Sequence, residues 1–432
     1  MKETGKKTMS IPALDNAEFP RMYPVRQFLH RTGITDMEAA VKQCLAGISV
    51  DAGQKIGICV GSRGVPHIAM IVRLLAEHLK AHGARPVLIP AMGSHGGAEA
   101  EGQVSLLAEY GITPEAMGVR FESSMAVSDL GTTPDGYRVY MDQAALGCDR
   151  LIAINRIKAH TDFYGETESG ILKMLAIGLG NHAGASYIHG FGVQGLSRAI
   201  PAIAGHMLTI KPISGIGILE DGYGEIAHLE MMHGREIPEA EKACLIQANQ
   251  WKAKIPFQKL DCLVVGEMGK NISGAGMDTK IIGRIRFPEV EEPASPAPNI
   301  VVCLRLTPQS HGNAAGVGLA DLIPQKLYEA IDSHVTFING ITARCPARYS
   351  LPMHLPDDRT TLLAGISFSR IYQDSADRVA WIRNTRDLER IYVSEALLKE
   401  AIHKGLAVLD PHGTEIRFEA DNDVTDLCWS SA

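Results

Sequence analysis

Residues 55–97 read KIGICVGSRGVPHIAMIVRLLAEHLKAHGARPVLIPAMGSHGG, two short apolar runs on either side of a helical pattern. KIGICVG has the character of a buried strand ending at Gly61, and RPVLIPAMG that of a second ending at Gly93. Between them Ile71, Leu74, Leu75 and Leu79 recur at helical spacing over 68–82, and Gly83 stops the helix. A further helix is expected over 101–110, closed by Gly111. DRLIAIN, residues 149–155, supplies a third strand. Apolar strands alternating with helices imply an α/β fold whose sheet is mostly parallel and covered on both faces. In such sheets ligands gather beyond the carboxyl ends of the strands. Three such ends present Arg63, then His95 in GSHGG, then Lys158 with His160, and their convergence marks a site.

Outward from that core, 432 residues suit two α/β domains. We place the first over 1–255, carrying the site, and a second over 256–415 that closes a cleft, with a tail over 416–432 returning to the first. The second half opens with IPFQKLDCLVVGEMG and resumes with NIVVCLRLT after an exposed Pro- and Glu-rich loop over 287–299. A helix over 318–331, a strand at VTFING (335–340), a helix over 394–404 and a closing strand pair, GLAVLD with TEIRFE, complete the reading. The formal net charge of -7 argues against nucleic acid or an anionic membrane as partner. The opening MKETGKKTMS has no apolar core behind it, so no secretory signal is read there, and no run is long enough to span a bilayer. Eight cysteines lie scattered with no CxxC pair, which fits reduced thiols in the cytoplasm. Oligomeric state is left open.

The chemistry concentrates in residues 155–189, NRIKAHTDFYGETESGILKMLAIGLGNHAGASYIH. Lys173 stands among Ile171, Leu172, Met174 and Leu175, a setting that favours a neutral, nucleophilic amine. Gly165, Gly170, Gly178 and Gly180 flank it, and His160, His182 and His189 bracket it. Imidazoles bind metals or move protons near neutral pH. The plainer alternative is an amphipathic helix with one snorkelling lysine. Asp162, Glu166 and Glu168 either orient an imidazole or are solvated charges. GFGVQG, residues 190–195, has the spacing of a dinucleotide fingerprint, but that motif needs a strand directly before it. GKNISGAGMD, residues 269–278, follows a strand, and Lys270 is placed there to meet an anionic group.

In order, Arg63, His95, His160, Lys173 and His189 resemble the pattern of the nickel-dependent lactate racemase family, with 16 positions from Lys173 to His189. The resemblance implies a nickel pincer nucleotide derived from nicotinic acid and made by dedicated cofactor-building enzymes. It implies attachment as a thioamide on Lys173, with Ser169, Gly170 and Gly178 about the cofactor and His189 as the protein's ligand to nickel. It also implies that His95 and His160 act as acid and base, while Arg63 binds the carboxylate of a small 2-hydroxy acid; Lys270 is placed as a second substrate contact by its own loop. The implied reaction passes a hydride from C2 to the cofactor and back to the other face, inverting that centre. The interval from His160 to Lys173 is about three residues longer than in the lactate enzyme, and GKNISGAGMD differs from its pattern. Both point to a divergent member acting on a hydroxy acid other than lactate. The competing readings are an NAD(P)-dependent dehydrogenase using residues 190–195 and a non-catalytic carrier of a nucleotide or metal.

Overall fold

The computed structural model describes residues 11–14, 17–31, 33–61, 65–370 and 377–425. They form two compact units, one built on His30–Lys252 and the other on the chain before and after it. The first strand, β1 (Met22–Arg26), belongs to the latter, where it pairs with strands from the end of the sequence.

The unit of His30–Lys252 begins with α1 (Met37–Leu45), capped by Asp36, whose carboxylate accepts from Ala39 N at 2.9 Å. Then come β2 (Lys55–Val60), α2 (Ile68–Ala81), β3 (Arg85–Pro90), α3 (Ala100–Glu109) and the short α4 (Pro114–Met117). An antiparallel pair, β4 (Val127–Thr132) and β5 (Arg138–Asp142), leads through α5 (Gln143–Leu146) to β6 (Arg150–Arg156). After α6 (Ile171–Lys173) the helix widens into a π-helical turn, Met174–Gly178, and α7 (Asn181–His189) follows. The unit ends with α8 (Gly192–Ile210), β7 (Ile213–Glu220), β8 (Ile226–His233) and α9 (Ile237–Trp251).

Its sheet runs β3-β2-β6-β7-β8, parallel except for β8. Ile56, Ile58 and Val60 of β2 pack with Ile71, Leu75 and Leu79 of α2 in one buried cluster. Full burial of each such side chain is worth about 1.5–3 kcal/mol, which overrides local propensity. Val60 pairs with Pro90 on one side and Ile154 on the other. The carboxyl ends of β3, β2 and β6 are therefore level neighbours, as the sequence led us to expect.

In the other unit β9 (Lys259–Met268), α10 (Thr279–Ile282), β10 (Ala297–Leu306) and β11 (Leu322–Pro324) come first. They are followed by α11 (Gln325–Glu329), α12 (Ser333–Ala343), β12 (Met353–Leu355) and α13 (Asp358–Arg370). The last elements are β13 (Val379–Ile382), β14 (Arg390–Ser394), α14 (Glu395–His403) and β15 (Ala407–Val408). The strand order is β12-β11-β10-β9-β13-β14-β1-β15, parallel from β12 to β13 and antiparallel beyond. Along β9, Leu263 and Val265 enter one core while Cys262 and Val264 enter another, so both faces are covered.

Three local expectations fail here. VTFING is helical, inside α12, because the Asp332 carboxylate accepts from Val335 N and starts a helix that outweighs the β-branched residues. The helix expected over 318–331 is a short turn, the strand β11 and then α11. GLAVLD and TEIRFE do not pair with each other: β15 joins β1, and Thr414 bridges to Met22.

Candidate active site

The loop after β3 carries His95 on an exposed turn. Gly93 N donates to the Gly178 carbonyl at 3.0 Å, and the Gly93 carbonyl accepts from Nε2 of buried Gln103 at 3.0 Å. The loop is thus pinned both to α3 and to the π-helical turn after Lys173. Arg63 lies outside the described residues.

Beyond β6 the chain doubles back on itself. Lys158 N donates to the Ser169 carbonyl at 2.9 Å and Ser169 N to the Lys158 carbonyl at 3.1 Å. That fold sets His160 Nε2 at 2.6 Å from Lys173 Nζ, though 13 residues separate them. Glu168, buried, accepts from His160 N at 2.5 Å, and the imidazole stacks on Phe163 with centroids 4.6 Å apart. Glu168 therefore holds the His160 backbone. The ring is oriented by a backbone amide: Asp162 N donates to His160 Nδ1 at 3.1 Å, while Asp162 Oδ2 stands 4.0 Å away. With Nδ1 accepting, a neutral imidazole carries its proton on Nε2. A hydrogen bond from Nε2 to Nζ then requires Lys173 as a neutral amine, the form that acts as a nucleophile.

Lys173 ends the short α6, and its turn is held from below. Asn155 Nδ2, at the end of β6, donates to the Gly170 carbonyl at 2.6 Å. Glu241, 1% exposed on α9, accepts from Leu172 N at 2.9 Å through Oε2. A Cβ on Gly170 would sit 2.5–2.7 Å from the Glu241 carboxyl, so only glycine fits there. Burial pushes the Glu241 carboxyl up to about 7, opposed by the amides of Leu172 and Ile171. Sequence reading passed over Glu241. Its signal was its position, since it shares the buried stripe of α9 with Ile237, Cys244, Leu245 and Ala248.

Gly178, expected near a cofactor, packs on the end of β3: a Cβ there would lie 2.6 Å from the Ala91 carbonyl oxygen. His189 ends α7 and is exposed. The start of α7 is fixed by Asn181, whose Nδ2 donates to Asp142 Oδ2 at 2.7 Å and to the Ser124 carbonyl at 3.0 Å. Around its end, Phe191 meets Tyr187 and Tyr137 edge-on with centroids 4.9 and 5.4 Å apart. GFGVQG joins α7 to α8, so a helix and not a strand precedes it, and the dinucleotide fingerprint lacks the context it needs.

Lys270 lies at the end of β9 in the other unit. Its Nζ donates to the Gly274 carbonyl at 2.9 Å and its amide to Ser310 Oγ at 3.0 Å, which folds it onto its own loop. Burial raises the Cys59 thiol well above its ordinary value, Cys148 to about 11 and Cys244 to about 12, which disfavours thiolate chemistry at these positions. Among the described residues no three His, Cys, Asp or Glu side chains converge on a metal position.

Two solved structures share the fold. The lactate racemase apoprotein from Thermoanaerobacterium thermosaccharolyticum matches with a TM-score of 0.51 at 14% identity, over 86% of this chain and 99% of that one. A structural-genomics protein from Thermotoga maritima matches with a TM-score of 0.50 at 14% identity, over 74% of this chain and 84% of that one. No curated protein matches the sequence. Residues 47–193, which hold His95, His160, Lys173 and His189, match the family described as the lactate racemase N-terminal domain. Through that segment, this chain is similar to the lactate racemase family.

Proposed function

We propose that the protein is a racemase or epimerase that inverts C2 of a 2-hydroxy acid other than lactate, with a nickel pincer nucleotide held on Lys173. The observation that carries the reading is the 2.6 Å contact between Lys173 Nζ and His160 Nε2. The residues fit such a group. A neutral amine is what forms an amide-type bond, and the exposed imidazole of His189 is a suitable nitrogen donor to Ni(II). When bound, the group supplies a hydride acceptor and donor. The chain supplies the rest. Acylation of Nζ withdraws its lone pair and frees the His160 ring; with the ring proton moved to Nδ1, on the side of the Asp162 carboxylate, the bare Nε2 takes and returns the hydroxyl proton of the substrate. His95, on its pinned turn, serves the opposite face, since inversion needs a base on each side. Arg63 binds the carboxylate by a bidentate pair.

Intact mass and metal content of protein made in a cofactor-producing host test the reading. We expect an adduct that maps to Lys173 and close to one nickel per chain. A chain that carries neither overturns it. A screen of chiral 2-hydroxy acids then identifies the substrate, and an adduct with nickel but no turnover of any of them would favour a carrier or sensor.

A further inference from the structure

We infer that Glu241 is a positioning residue for Lys173: its carboxylate takes the place of a helix cap beneath α6 and holds the amine against His160. The inference rests on the function proposed above for its meaning, but its geometry stands alone. α6 is preceded by Gly170, an extended residue whose side chain can cap nothing, so the first amides of the turn need an acceptor from elsewhere. Glu241 reaches across from α9 and gives Oε2 to Leu172 N, the residue before Lys173. Its other oxygen, Oε1, is buried with no hydrogen-bond partner. A carboxyl kept in that state is costly, and an apolar residue would suit the stripe it occupies. Gly170 completes the arrangement, because any side chain there would displace the carboxyl. Glycine and glutamate form one device, 71 residues apart in the chain, and that device sets the direction in which Lys173 leaves the turn.

Competitive labelling of the cofactor-free protein tests this. The protein is treated at pH 7.5 with the acetyl ester of N-hydroxysuccinimide, and acetylation of Lys173 is measured by peptide mass spectrometry relative to exposed Lys399. Glu241→Gln keeps an oxygen acceptor and should stay within about twofold of the natural protein. Glu241→Asp, one methylene too short, and Glu241→Ala should lower the ratio at least about fivefold, because a lysine released from His160 is almost wholly protonated at that pH. Gly170→Ala should lower it as far, and Gly170→Ala with Glu241→Ala should lower it no further than either alone. Melting curves establish that each variant is folded; should Glu241→Ala fail to fold, the Asp and Gly170→Ala variants carry the comparison. A ratio indifferent to all of them, a Gln variant as poor as the Ala variant, or additive effects of the two sites would overturn the inference. Loading in the cofactor-producing host separates this outcome from the function. A natural protein that loads while labelling ignores Glu241 defeats only the positioning role. One that never loads, with the labelling pattern intact, defeats only the proposed function.

Discussion

Replacing Glu241 with Gln removes a proton-binding group from the interior and should change how stability depends on pH. The folded chain raises this carboxyl from 4.5 to about 7, with burial as the main cause. At 1.36 kcal/mol per unit the rise corresponds to about 3 kcal/mol. The sign follows from which state holds the proton more tightly. Between those two values the folded protein keeps a proton that the unfolded chain has released, so stability falls as pH rises. The contribution is fully present below about pH 4.5 and is lost as pH passes through about 7. Integrated from pH 5 to pH 8, the natural protein should lose about 2 to 3 kcal/mol relative to Glu241→Gln. The Gln side chain brings an amide nitrogen into a place with no acceptor, a cost of about 1–3 kcal/mol that does not vary with pH. It shifts the two stability curves apart without altering their difference in slope. Urea unfolding at a series of pH values, followed at Trp251, measures both curves. That indole stacks on His30 within the same unit, and its own pH response is common to the two proteins. Parallel curves between pH 5 and 8 would refute the argument, as would a natural protein that gains on the variant with rising pH.

Other outcomes follow from the same contacts. Gly178→Ala brings a Cβ to 2.6 Å from the Ala91 carbonyl oxygen, which is backbone and cannot yield, so a loss of about 1–3 kcal/mol is expected from thermal or urea unfolding. Gly283→Ala in the other unit meets the Pro296 carbonyl oxygen at 1.6 Å from a left-handed backbone, φ +71, and should cost about 2 kcal/mol or more, read from the same measurements. His189→Ala should fold normally yet lose nickel by metal analysis, and Lys173→Ala should keep its fold yet show no adduct by intact mass; unfolding of either would give those side chains a structural role instead.

Much of the first sheet was legible because its strands are buried on both faces. Runs such as Ile56–Val60 and Leu151–Ile154 then read as continuous apolar segments, and their ends fall beside one another by the ordinary topology of parallel sheets. That His160 and Lys173 would share a site was legible from their order, but the path that brings them to 2.6 Å was not, since it depends on the doubled-back segment between Lys158 and Ser169, where backbone bonds and not side-chain pattern decide the path. Misreadings cluster in 318–340, where a capping aspartate and very short elements leave too few residues for periodicity to work. Glu241 lay in plain view on an apolar stripe, but burial of a carboxylate has a purpose only once its partner, 69 residues upstream at Leu172, is known.

The π-helical turn explains how the pieces are tied together. Leu179 N donates to the Met174 carbonyl at 2.9 Å, one residue further round than an α-helix allows, and this widening frees the carbonyls that follow. The Gly178 carbonyl receives Gly93 N from the His95 loop, and the Leu179 carbonyl receives Asp142 N, whose side chain in turn fixes Asn181 at the start of α7. One turn thus locates Lys173 before it, His95 beside it and the helix of His189 after it. Two of these joints are backbone to backbone and insensitive to side-chain identity, apart from glycine where a Cβ would collide. That is why the order and spacing of a few residues carried the family signal here, and why the fold persists in a lactate racemase that shares only 14% of its residues with this chain.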